Sequence, residues 1–151
     1  MAHPASGHDA WSYEVELTDT ASRAYWTGTP GADSNVHYSS TAAQSAGLPA
    51  LLVSAPHLLS ICDLAMADIF GATWALTGRL DLKFIGMALT GSRVVVRSRL
   101  SERHPEETGA ATMVLDVRLD TGDPQSRPLC IGTARARLDE DATHLNGNDR
   151  R

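Results

Sequence analysis

Lysine is all but missing from this chain. Twelve of the thirteen basic residues are arginine, so Lys83 is the one candidate for Schiff-base chemistry. Cysteine is scarce, and Cys62 and Cys130 sit in apolar contexts without a CxxC pair. Each is therefore expected to be a buried free thiol. No His, Cys or Asp set has the HxxxH or CxxC spacing of a metal centre, so no metal is expected. GxSxG, the P-loop and GxGxxG are lacking too, which removes the motifs of a hydrolase elbow and of nucleotide binding. The most apolar stretch, residues 48–55, is interrupted by Pro49 and Ser54 and falls far short of the ~18 residues that cross a bilayer. Met1-Ala2-His3-Pro4 has neither the basic nor the apolar region of a signal peptide, so a cytoplasmic protein without membrane contact is expected. Positive charge is in deficit, with eighteen acidic residues against thirteen basic ones and a net charge of −5. That balance repels a phosphate backbone, and nucleic acid is not an expected partner.

The chain does have the makings of an ordinary core. At 151 residues with 42% hydrophobic content, it fits one domain that buries roughly two thirds of its surface. Residues 1–10 and 139–151 read as flexible ends around a domain at 11–138. Five segments inside it alternate with the period of half-buried strands. They are Ser12–Leu17, Arg79–Phe84, Val94–Leu100, Thr112–Leu119 and Leu129–Leu138. Gly109 and Gly122-Asp123-Pro124 supply turns, which implies an antiparallel sheet. Pro56–Phe70 is different: Leu58, Ile61, Cys62, Ala65 and Ile69 follow a helical face, and Leu59, Leu64, Met66 and Ala67 fill much of the other side. A helix apolar nearly all round is expected to be buried on most faces. Ser54 is its candidate N-cap and Gly71 its stop. The reading is α+β, an antiparallel sheet of five or more strands around a central buried helix.

Chemistry concentrates between the first strand and that helix. Gly31-Ala32-Asp33-Ser34-Asn35-Val36-His37-Tyr38 packs a carboxylate, an amide and an imidazole into one loop. Residues 39–47 then read as a short helix with a Thr41/Gln44 capping box and a Gly47 stop. Asp33 and His37 at a helix entrance are able to converge, His to move a proton and Asp to orient a water. The same residues also make an Asx turn.

Asp33-Ser34-Asn35-Val36-His37 resembles the D-x-N-P-(I/L/V)-H signature of the MaoC-like hydratase/dehydratase family. Lys83 to Ser92 resembles that family's (R/K)-F-x-x-P-(V/A)-x-x-G-(D/S) segment. Gly47 to Leu58 is similar to its G-(F/L)-x-x-x-I-x-H-G-M-L run. The resemblance spans roughly residues 12–138 and implies a single hotdog fold. It further implies a lyase that adds or removes water across the α,β bond of an acyl thioester carried by coenzyme A or a carrier protein, with no other cofactor. By that resemblance His37 and Asp33 are catalytic and share one water in a tunnel beside the central helix. Asn35 braces the loop and the Ala55 amide polarises the thioester carbonyl. His57 in the first helical turn, by its amide or ring, is a candidate addition to that site, or else a buried, hydrogen-bonded histidine of the core. Tyr25 and Trp26 are candidate walls of the acyl pocket, or core. A homodimer that completes the tunnel between subunits is implied, or a heteromer with another hotdog chain.

Three departures from the family pattern stand out. Three residues separate Asp33 from His37 where the family has four, Ser54-Ala55 replaces His-Gly, and Met87 replaces proline. They keep two alternatives open: a non-catalytic or partner-dependent hotdog subunit, and other thioester chemistry such as hydrolysis, conjugate addition or cyclisation. Arg93, Arg97, Arg99, Arg135 and Arg137 are candidates to meet coenzyme A phosphates or a carrier's acidic helix, or else form a solvated sheet face.

Overall fold

The structure, a computed structural model, describes residues 3–4, 9–106, 109–122 and 127–139. The strands are β1 (His3–Pro4), β2 (Ala10–Glu16), β3 (Arg79–Phe84), β4 (Arg93–Pro105), β5 (Ala110–Asp120) and β6 (Cys130–Asp139). They form one antiparallel sheet in the order β1-β2-β4-β5-β6-β3. All five expected strands are present, each within a few residues of its expected bounds. The two-residue β1 is an addition inside the N-terminal stretch expected to be loose: His3 pairs with Ser12 and Pro4 with Trp11. Residues 140–151, most of the expected flexible tail, lie outside the described residues.

Four α-helices interrupt the strands: α1 (Asp19–Trp26), α2 (Ser40–Ser45), α3 (Ala55–Phe70) and α4 (Ala72–Thr77). The long helix expected from Pro56 is α3, N-capped by Ser54 and ended by Gly71. It lies on one face of the sheet. Leu58, Ile61, Cys62, Ala65 and Met66 pack there against Val94, Val96, Leu115 and Ala134. Cys62 and Cys130 are buried free thiols whose sulfurs lie 4.0 Å apart, joining α3 to β6. The contact with Cys130 and burial push the Cys62 thiol up. Among the described residues, no helix is long and apolar enough to cross a membrane.

Two local expectations need correction. The short helix begins at Ser40, and its cap is Ser39, whose hydroxyl accepts from the Ala42 amide at 3.3 Å; Thr41 lies inside it. The extended backbone of Ser39 makes it the residue able to turn its hydroxyl onto the first orphan amides. The central helix, secondly, is not covered on most faces: Leu59 and Leu64 remain 42% and 56% exposed. One sheet shields one side of a helix, and among the described residues no second layer reaches the other.

The polar face of the sheet is knit by ion pairs. Asp120, fully buried, accepts from Arg118 Nε at 3.0 Å, Arg97 Nε at 3.3 Å and the Gly122 amide at 3.0 Å. Arg93 pairs with Glu14 at 2.8 Å and Arg137 with Glu106 at 3.5 Å. Three of the five arginines considered for phosphate contact are thus engaged within the domain.

β3 joins the sheet at a crowded crossing. Leu82 pairs with Gly132, and a Cβ at Gly132 would stand 1.9 Å from the Asp81 carbonyl oxygen. Backbone cannot yield as a flexible side chain does, so Gly132→Ala is expected to push β3 away from β6. A loss of about 1–3 kcal/mol follows, readable as a lowered urea midpoint.

Candidate functional site

The site is assembled by α1, for which the sequence reading made no helix. Thr18 caps it by accepting from the Ala21 amide at 3.1 Å, and Asp19 meets Arg23 one turn on at 3.8 Å. The Thr-Asp start with a basic residue four positions later was the available signal. From its buried side, the Ser22 hydroxyl donates to the His37 carbonyl oxygen at 3.0 Å. Arg23 donates to the Tyr38 carbonyl oxygen and, at 2.7 Å, to the Ser40 hydroxyl. One helix face therefore grips three points of the segment that carries His37.

Ahead of His37, Gly31 takes a left-handed conformation (φ 78°), and Ala32–Ser34 form a single 3-10 turn. The Asn35 side-chain oxygen accepts from the His37 amide at 2.9 Å. That is the Asx geometry by which a short amide side chain fixes a turn, and it places Asn35 as the local brace. Val36 then pairs with the residues leading into α3, its carbonyl oxygen accepting from Leu52 N at 3.1 Å. On the far side, Val53 N donates to Ala88 O at 2.8 Å. Three chain segments run side by side into the helix, and His37 is on the outermost.

The His37 ring is doubly held. Nδ1 lies 2.6 Å from the Leu52 carbonyl oxygen. A carbonyl only accepts, so Nδ1 carries the proton and Nε2 keeps a free lone pair. Trp26 stacks on the ring at 5.5 Å and 9°. Tyr25, the preceding residue, stacks on His57 at 5.4 Å and 13° and brings its hydroxyl to Ser60 Oγ at 3.3 Å. Two consecutive residues at the end of α1 each stack on one of the two imidazoles. Tyr25 and Trp26 thus cover the two rings directly.

The end of α3 supplies the remaining polar groups. Ala55, Pro56 and His57 are its first three residues. The amides of Ala55 and His57 precede the first helical bond, Leu58 N to Ser54 O, and are orphan donors. Ser54 is 2% exposed, yet its hydroxyl caps nothing. Ser54 Oγ, His57 Nδ1 and Trp26 Nε1 are all shut in without a partner. Burial lowers the His57 pKa, which keeps the ring neutral near pH 7.

Asp33 is not brought to this cluster. It is exposed on the 3-10 turn and has no hydrogen bond or ion pair among the described residues. It lies in the tight Gly31–Ser34 turn, closed by the Ser34 hydroxyl on Gly31 O at 2.9 Å. No direct hydrogen bond joins it to His37. Nor does either described cavity border His37 or His57. One of about 570 Å³, lined by Asp81, Lys83, Asp116 and Arg118, lies on the polar face of the sheet. The other, about 350 Å³, adjoins it along Ser12, Arg97 and Arg99. No three His, Cys, Asp or Glu side chains among the described residues converge as a metal site would require.

A helix laid in a six-stranded antiparallel sheet of this order, with a histidine loop at the helix entrance, is the hotdog fold. Solved structures bear this out. The (R)-hydratase from A. caviae involved in PHA biosynthesis matches with a TM-score of 0.67 and 15% identity, over 89% of this chain and 99% of its own. The MaoC-like dehydratase from Rhodospirillum rubrum matches with a TM-score of 0.65 and 14% identity, over 87% and 90%. The HadBC (3R-hydroxyacyl-ACP dehydratase) complex from Mycobacterium tuberculosis gives 0.61 and 14%, over 85% and 93%. No protein-family model matches the sequence, and no curated protein does. The likeness is one of fold.

The lowered His57 pKa has a consequence for stability. The unfolded chain takes up a proton near the ordinary value of 6.5, while the folded ring resists it. Folded stability is therefore lost as pH falls below about 6.5 toward the lower folded value. Urea unfolding of wild type and His57→Gln from pH 7.5 to 5 is expected to show a shallower decline in the variant.

Proposed function

We propose that the protein is a MaoC-like hydratase/dehydratase, acting reversibly on the α,β bond of an acyl thioester. The observation that carries this reading is the hydrogen bond from His37 Nδ1 to the Leu52 carbonyl oxygen at 2.6 Å. It presents Nε2 as a base beside the entrance of a long buried helix. There the helix dipole and the free Ala55 amide favour the oxygen of a thioester. With the carbonyl polarised, the β-carbon becomes electrophilic. His37 Nε2 takes a proton from water, the oxygen joins the β-carbon, and His37 returns the proton to the α-carbon. Dehydration runs the same steps backwards. Asn35 keeps the loop in register, and Asp33, which has no direct contact with His37, takes no part in the proton transfer in this reading. The thioester is carried by coenzyme A or a carrier protein, and no further cofactor takes part. The working form is a cytoplasmic homodimer, or a heteromer with another hotdog chain, whose second subunit covers Leu59 and Leu64 and closes the tunnel.

A second reading is supported by the open site. The chain would be the partner-dependent half of a heteromer, as the HadBC neighbour is itself a complex. Crotonyl-coenzyme A assayed for loss of the enoyl absorbance and, in parallel, for thiol release tests both readings and separates hydration from hydrolysis. His37→Ala is expected to cut hydration at least about a hundredfold with an unchanged circular dichroism spectrum. Asp33→Asn is expected to stay within a few-fold of wild type. Activity retained by His37→Ala removes the mechanism, and activity that appears only with a second hotdog chain favours the heteromer.

A further inference from the structure

The entrance of α3 is short of donors for a thioester oxygen. Ala55 and His57 offer amides, but Pro56 between them has no N–H. The imidazole of His57 stands in the same turn, with its two nitrogens in unlike surroundings. Nδ1 is shut in without a partner, while Nε2 is neither shut in nor hydrogen-bonded. Nδ1 is unpaired in either tautomer; the tautomer that carries the proton on Nε2 sets the donor where an incoming group can pair with it. Burial keeps the ring neutral. Its plane is fixed by the stack on Tyr25, which is tied in turn to Ser60 one turn along α3. A second polar group, the buried and unpartnered Ser54 hydroxyl, waits at the same helix end.

We propose that His57 is a catalytic residue, its neutral imidazole donating Nε2–H to the thioester oxygen beside the Ala55 amide, in place of the N–H that Pro56 lacks. The proposal rests on the hydratase reading and names how that site holds its substrate. Polarising a carbonyl with a neutral imidazole near a helix N-terminus is sound chemistry, because the hydrogen bond strengthens as enolate charge develops. His57 keeps its proton throughout. Water's proton goes to His37, the oxygen bonds to the β-carbon, and the alkene pair moves through the α-carbon to the oxygen that His57 holds. The pair then returns to the α-carbon as His37 delivers its proton there.

Butyryl-coenzyme A labelled with 13C at the carbonyl tests this, because it is saturated and cannot react. Difference infrared spectroscopy is expected to show its carbonyl stretch moved to lower frequency on the wild-type protein. His57→Phe, which keeps a flat ring against Tyr25 but has no N–H, is expected to restore the solution frequency. His57→Gln, which keeps a donor, is expected to retain part of the shift. With crotonyl-coenzyme A, His57→Phe is expected to lower kcat about a hundredfold at a nearly constant KM, and His57→Gln to recover about tenfold of that loss. If His57→Phe does not fold, His57→Leu takes its place. An unshifted carbonyl on wild type overturns the proposal, as does a variant without the donor that keeps the full shift. A wild-type protein that shifts the carbonyl through His57 but hydrates nothing upholds the donor and removes only the hydratase reading.

Discussion

The hydrogen bond between the His37 ring and the Leu52 carbonyl oxygen is the contact on which the site depends. It fixes which nitrogen keeps its lone pair, and it locks an irregular loop to the chain that runs into the central helix. Everything else supports that bond. Asn35 sets the turn before it, Ser22 and Arg23 pin the backbone around it, and Trp26 holds the ring in plane. Several modest interactions, each about 1 kcal/mol net, thus converge on one side-chain orientation.

The fold was largely legible in the sequence, because the period of two in the strands and the near-continuous apolar run of α3 are strong local signals. Ser54 and Gly71 bound that helix at the expected positions, although the Ser54 hydroxyl makes no cap. What escaped was α1, whose eight residues are dominated by tertiary contacts. Its Ser22 is buried by packing, which no local pattern announces. The site was legible in part for the same reason. Asn35 works through the His37 amide two positions away, so its spacing carries information, whereas the His37 ring bonds to Leu52, which spacing does not announce. The two ring stacks join residues far apart in the chain, and spacing says nothing of them. The 3-10 turn that carries Asp33 was not legible either, because it starts from the left-handed Gly31 rather than from the motif.

The exposed side of α3 links fold to assembly. A helix with leucine on its outer side sits poorly in water, and one sheet cannot wrap it. Burying Leu59 and Leu64 removes about 1.5–3 kcal/mol of exposure cost for each side chain fully covered. Leu59 lies two residues after His57, so a cover over it would reach the first turns of the helix as well. The opposite face differs: its arginines are largely satisfied by Asp120, Glu14 and Glu106.

Tyr25 and Trp26 are adjacent in the chain, yet each rests on a different imidazole. The two histidines therefore share a single mechanical foundation. A shift of one turn in that short helix would misalign both at once, so intermediate designs with one working ring and one idle ring are hard to reach. Innovation on this scaffold is then expected to travel through the supporting helix as a block, with the reactive pair retained or surrendered together.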